Sequence, residues 1–290
     1  MHSVFFHLCA YTHELLPISS AQRVMRNPIP HMVPTKANSA AAARLQRVLS
    51  TVSDSGLLVV VGAHHFAADA NDPLRRLVQG RRWGGALLVE ASPPIAQELR
   101  QSIAARNPLP RAPSERVVVS NVGIRDSVRR GAAQNATRTF FTLTAQGDGL
   151  PSYSTQIGSF NWPRTQQLVS SWATAAGNWT YERLMARVVR SEIMCRTLVD
   201  ELRAHAALAS LVPAVMLIDV EGLDCRVVAA QDWCSEPLNR LQLLVFEWKH
   251  CTEAAFKRAQ QSLARCPRYG AQHTFANREN VFYLARDAQR

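Results

Sequence analysis

Apolar runs separated by turn residues and amphipathic stretches set the plan of this chain from Gly56 onward. Leu57–Val61, Ala86–Glu90, Arg116–Ser120, Ala214–Val220 and Leu241–Trp248 are short and mostly apolar, without the alternation of a half-exposed strand. Runs of this kind read as strands buried on both faces of a parallel sheet. Between them the spacing turns helical. Ser92 predicts an N-cap with Pro93 at the first helical position, and Ile95, Leu99 and Ile103 stack on one face of a helix that stops before Pro108. Thr197–His205 and Cys225–Gln231 read as further helices, and Thr252 caps another that carries Phe256, Ala259 and Leu263 and ends before Pro267. At the C-terminus, Gln272–Ala276 and Val281–Ala285 flank Asn277–Asn280 and predict an antiparallel hairpin closing one edge of the sheet.

Strands alternating with helices imply right-handed βαβ units and an α/β, Rossmann-like doubly wound sheet. Residues 51–290 form this domain. Within it, the segment from about 125 to 190 departs from the alternation. It is rich in Ser, Thr, Gln and Asn and carries Phe140, Phe141, Tyr153, Phe160, Trp162, Trp172 and Trp179. That aromatic content is too high for a linker, so the segment reads as an insertion before the fourth strand, packed over the ligand edge of the sheet. The other reading is a satellite cluster without a binding role.

Residues 1–50 are set apart as an N-terminal extension, with one acid, Glu14, against Arg23, Arg26, Lys36, Arg44 and Arg47. Few acids with Arg and Ser is the composition of an organelle transit peptide; a disordered or loosely docked extension fits equally. No run approaches the roughly 20 apolar residues of a membrane span.

The chain has 290 residues, 47% hydrophobic and 19% charged, with a formal net charge of +11. The basic residues are nearly all Arg, dispersed in short pairs such as Arg75-Arg76 and Arg129-Arg130, without the concentrated tract of a nucleic-acid footprint. Six cysteines are scattered without CxxC spacing, which argues against a zinc site and predicts free thiols in a reducing, intracellular compartment, cytoplasm or organelle.

The strand ends carry the candidate chemistry. Pro213–Gly222, PAVMLIDVEG, delivers Asp219 and Glu221, and Ala86–Glu90 delivers Glu90. Carboxylates at the C-terminal ends of buried parallel strands lie where open α/β sheets bind ligands, which suggests a nucleotide-type pocket.

Gly62-Ala63, Val89-Glu90-Ala91-Ser92-Pro93, Asn121-Val122-Gly123, Gly158-Ser159-Phe160, Cys195-x-Thr197-Leu198 and Ile218-Asp219-Val220-Glu221-Gly222 occur in an order that resembles the FkbM-type methyltransferases. The resemblance covers roughly Gly56 to the C-terminus. It implies a class I fold of seven strands, six parallel and one antiparallel, and use of S-adenosylmethionine to methylate a hydroxyl on a small molecule, sugar or lipid-like metabolite. It assigns the cofactor to Gly62, Ala63, His64, Glu90, Ala91, Asn121 and Asp219, with Glu90 accepting from the ribose hydroxyls. Asp219, Glu221 and His250 become the catalytic candidates, as positioning groups or as bases on the acceptor hydroxyl. His250 also fits a plain surface histidine, and Asn121 a plain turn residue. The first motif of the family reads Asp-x-Gly-Ala-Asn-x-Gly; here Val60 replaces the acid, His64 the Asn and Phe66 the second glycine. A catalytically silent domain keeping the fold as a scaffold or binding module is therefore the alternative. An RNA methyltransferase has less support, since the Asn-Pro-Pro-Tyr-type element of base amination is missing.

Overall fold

The computed structural model describes residues 8–9, 46–64, 81–105, 109, 112–125, 136–143, 158–160, 162–175, 179–220, 223–270, 275–276 and 280–286. Two sheets organise them. The larger has seven strands: β2 (Leu57–Val61), β3 (Gly85–Val89), β4 (Val117–Ser120), β9 (Pro213–Ile218), β10 (Leu243–Glu247), β11 (Phe275–Ala276) and β12 (Asn280–Leu284). Their spatial order is β11-β12-β10-β9-β2-β3-β4. The β2–β3, β3–β4, β2–β9 and β9–β10 pairs are parallel, whereas β12 runs antiparallel to both β10 and β11. The chain order reverses direction between β2 and β9, so the crevice of this doubly wound sheet opens beyond their C-terminal ends.

Every residue of β2, β3, β9 and β10 is buried, as the uninterrupted apolar runs predict. Alternate side chains enter two separate cores. Leu57, Val59, Val61, Leu87, Val89, Met216, Ile218, Leu244 and Phe246 face one, and Leu58, Val60, Leu88, Val215, Leu217, Leu243 and Val245 the other. The first core is covered by α4 (Leu198–Arg203), α5 (Asp224–Ala230) and α6 (Glu253–Ala264), the second by α1 (Pro93–Ala105) and a helical turn over 46–51. Thr197 and Thr252 act as N-caps, accepting from Asp200 N at 3.1 Å and Ala255 N at 3.2 Å.

The second sheet has the order β1-β5-β8-β6-β7, built from β1 (Leu8–Cys9), β5 (Gly123–Arg125), β6 (Ala136–Leu143), β7 (Gly158–Ser159) and β8 (Val188–Arg196). It is more regular than the irregular insertion the sequence implied. β6 and β8 pair antiparallel without interruption from Ala136↔Cys195 to Leu143↔Val188. α2 (Trp162–Ala175) and α3 (Tyr181–Met185) pack beside this ladder around Leu143, Leu168, Val169 and Leu184. β1 belongs to the N-terminal 50 residues yet pairs in parallel with β5, and Leu49, also from that stretch, is 2% exposed in the second core.

Two expectations need correction. The cysteines are not all free thiols: Cys225 and Cys251 form a disulfide with Cα atoms 6.0 Å apart, and Cys195 is also disulfide-bonded. The pairing joins the start of α5 to the loop before α6, a proximity created by the βαβ crossover that linear spacing cannot reveal. Ser92 precedes α1, but its hydroxyl caps nothing: Oγ is buried without a hydrogen-bond partner. Pro93 and Pro94 occupy the first two helical positions and have no N–H to offer. Among the described residues, no helix is long and apolar enough to cross a membrane.

Candidate functional site

The turn leaving β2 is bent by two residues with positive φ, Gly62 at 81° and His64 at 43°. Glycine takes such a value without steric cost, while histidine there requires something to hold it. The neighbouring strand provides the hold. Gly62 N and Ala63 N both donate to Val89 O, at 2.9 and 3.0 Å, and His64 N donates to Glu90 Oε2 at 2.9 Å.

Glu90 is the hub of this corner. It follows β3, is 1% exposed, and its second oxygen, Oε1, accepts from Ser92 N at 2.7 Å. Both carboxylate oxygens therefore bind backbone amides, one in each of the two turns that border the crevice. Bonds of this charge-assisted kind satisfy a buried carboxylate and fix the turns relative to each other. Asn121, just past β4, adds a third link, because Nδ2 donates to Glu90 O and Ala91 O, both at 2.9 Å. Gly62, Ala63, His64, Glu90, Ala91 and Asn121 thus form one hydrogen-bonded unit at the C-terminal edge of β2, β3 and β4.

Asp219 lies on the same edge, one strand over, where its amide donates to Val61 O at 3.0 Å. Glu247 continues the row: Phe246 pairs with Ile218, so the next residues, Glu247 and Asp219, end neighbouring strands. Glu247 is 5% exposed and its Oε1 lies 3.9 Å from His250 Nε2. His250 is therefore paired towards β10 and borders the disulfide at Cys251. Glu221, Phe66 and His65 lie outside the described residues.

The second sheet closes over this corner. Ala91 shares a small apolar cluster with Phe140, Ile193 and Phe160, and the Phe140 and Phe160 rings meet edge to face with centroids 4.8 Å apart. This contact puts Phe140, Phe160 and Ile193 against the residue that follows Glu90.

Three residues of weight escaped the sequence reading. Ser92 brings a hydroxyl with no partner, 2% exposed, beside Glu90. Its signal was read as a cap because Ser before Pro at a helix start usually means that. Asp224 is fully buried, and its Oδ1 accepts Val220 N at 2.8 Å, bracing the turn that leaves β9. Glu201, also fully buried, is ion-paired with Arg196 at 3.1 Å and hydrogen-bonded to His205. An open groove of about 1050 Å³ lies at the opposite edge of the sheet, where Ser55, Arg82, Gly84 and Arg116 precede the strands, away from all these carboxylates. Among the described residues no three His, Cys, Asp or Glu side chains converge as a metal-binding set.

No family model matches the chain, and no curated protein matches it. Among solved structures it is similar to a Streptococcus pneumoniae protein, Sp1610, provisionally assigned as a tRNA (m1A22) methyltransferase. The identity is 13%, the TM-score 0.36, and the match covers 83% of this chain and 69% of the other.

Proposed function

We propose that this chain is an S-adenosylmethionine-dependent methyltransferase acting on a hydroxyl of a small molecule, sugar or lipid-like metabolite. The observation that carries the reading is Glu90, a carboxylate braced by two backbone amides at the crevice edge of a doubly wound sheet. The ordered motifs that resemble the FkbM type, and the single reversed strand β12 between β10 and β11, support it further.

The donor set fits this cofactor chemically. Each Glu90 oxygen accepts from a backbone amide, and the paired oxygens of a carboxylate suit the two hydroxyls of a ribose. Because Glu90 is 1% exposed, a ribose reaching it would displace the groups that cover it. Ser92 Oγ, buried and unpartnered, adds a hydroxyl beside it. Gly62 and Ala63 would let the cofactor approach the backbone, and Asn121 would hold the Glu90–Ala91 carbonyls clear of the adenine. When bound, S-adenosylmethionine supplies an electrophilic methyl to the acceptor oxygen. Asp219 would orient the acceptor hydroxyl and take its proton, with Glu221 sharing that task and His250 held in reserve by Glu247. The cluster of Phe140, Phe160 and Ile193 over Ala91 would shape the acceptor side.

Titration calorimetry of the full chain with S-adenosylhomocysteine tests the reading. Saturable binding is expected. A folded protein that gives no heat at high ligand concentration would leave the second reading, a catalytically silent scaffold. That alternative is favoured by Val60, which is 2% exposed in the core where the related motif has an acid.

The disulfide positions bear on location. Disulfides persist in oxidising surroundings, so we place the chain in an oxidising compartment of the cell or outside it, rather than in a glutathione-reduced one.

A further inference from the structure

Four of the six cysteines lie on, or within four residues of the ends of, a single pair of packed helices, α5 and α6. Cys225 sits at the start of α5 and Cys251 just before α6, and their disulfide clasps the helices at the end nearest the strand-edge carboxylates. Cys234 and Cys266 follow the other ends of the same two helices. Both are free thiols. Cys234 Sγ donates to the carbonyl oxygen of Arg265, the residue before Cys266, at 3.5 Å, so both thiols border the same turn after α6. The helix pair therefore has one closed clasp and, at its opposite end, a neighbouring pair of free thiols.

The surroundings hold this dithiol in place. Asp232 Oδ1 accepts Cys234 N at 3.1 Å, and Ser262 Oγ donates to Gln231 O at 3.0 Å, tying α6 to the end of α5. Trp233 Nε1 donates to Val228 O at 2.8 Å, and its ring meets Tyr269 edge to face at 6.2 Å. The two thiols border the same turn, the one that follows α6. They differ in access, since Cys234 is exposed and Cys266 is 5% exposed.

We infer that Cys234 and Cys266 form a thiol–disulfide exchange site, at which glutathione disulfide closes a second clasp across α5 and α6. The exposed Cys234 thiolate attacks one sulfur of glutathione disulfide, forming a mixed disulfide and releasing one glutathione. The Cys266 thiolate then attacks Cys234 Sγ, forming the Cys234–Cys266 bond and expelling the second glutathione. The protein dithiol loses two electrons and two protons; glutathione disulfide gains two electrons, and the protons end on the two glutathione thiols. The neighbouring Cys266, with burial and the nearby Asp232, pushes the Cys234 thiol up to about 11, so the reaction is slow at neutral pH. This inference stands apart from the methyltransferase reading.

The test uses the full chain, incubated with excess glutathione disulfide, then denatured, alkylated and mapped by peptide mass spectrometry. Loss of both alkylatable thiols as one Cys234–Cys266-linked peptide is expected, with Cys225–Cys251 unchanged. Cys266→Ser should stop at a glutathione adduct on Cys234, and Cys234→Ser should leave Cys266 unmodified in the native protein. Closure should raise Tm by several degrees in the parent chain and in neither variant. Full alkylation of both thiols after prolonged exposure, or a parent chain that halts at the mixed disulfide, would overturn the inference.

Discussion

The His64 amide donates to Glu90 Oε2 over 2.9 Å, and this bond holds a non-glycine residue at φ 43°. A left-handed turn after the first strand of the main sheet is thereby coupled to a carboxylate at the end of the second. Glu90 consequently has a structural share in the site before any ligand arrives. Glu90→Ala should leave the His64 and Ser92 amides without their acceptor and cost about 3–5 kcal/mol, read by urea denaturation of the full chain. Glu90→Gln keeps one acceptor oxygen and should cost clearly less. An alanine variant as stable as the parent would show that the two amides find other partners.

Ser92 separates stability from binding. Its hydroxyl is buried without a partner, and removing such a group is neutral or stabilising by up to about 1 kcal/mol in the ligand-free protein. If that hydroxyl serves the cofactor, Ser92→Ala should weaken S-adenosylhomocysteine binding roughly 5- to 10-fold while Tm holds or rises. Unchanged affinity would remove Ser92 from the site.

Phe140 is fully buried and belongs to the cluster that contains Ala91. Phe140→Ala should destabilise by about 3–5 kcal/mol. Because the lost contact lies against the residue after Glu90, Phe140→Leu should retain most of the stability yet change acceptor selection among hydroxyl substrates, measured by methyl incorporation. A leucine variant with the parent's acceptor profile would confine Phe140 to packing.

Reducing the Cys225–Cys251 disulfide frees a segment of sequence separation 26 in the unfolded chain, which by loop entropy lowers stability by about 3.5 kcal/mol. Cys225→Ser with Cys251→Ser should show a comparable loss in denaturant titration without reductant. The parent chain without reductant provides the control, since dithiothreitol would also open the disulfide at Cys195.

Burial raises the Tyr283 hydroxyl well above its ordinary value near 10. The unfolded chain therefore ionises this group before the folded one can. Its contribution to stability is intact below pH 10 and declines as pH climbs above that value. Tyr283→Phe should flatten the alkaline side of a stability–pH curve. Parallel curves for both proteins would assign the alkaline loss elsewhere.

Much of the main sheet was legible because a strand buried on both faces leaves an unmistakable run, as Leu57–Val61 and Pro213–Ile218 do. Thr252 was readable as a cap for a similar reason: capping is local chemistry. The second sheet was not legible. Ala136–Leu143 and Val188–Arg196 mix Arg, Thr, Ser and Glu with apolar residues, since each strand has parts facing solvent, and neither shows clean alternation. The Cys225–Cys251 pairing depends on where the chain returns in space, so no local pattern announces it. Glu90 was identified by its place at a strand end, but its bonds to His64 and Ser92 follow from turn conformations, which side-chain identity alone does not dictate.

The reversal of β12 also has a consequence for how molecules of this chain meet one another. Among the described residues, the main sheet is bordered by Phe275–Ala276 of β11 on one side and the four residues of β4 on the other. A border that short offers few open backbone amides and carbonyls to a passing strand. The long, fully apolar strands best suited to cross-chain pairing lie in the middle of the sheet, with both of their hydrogen-bonding sides already taken.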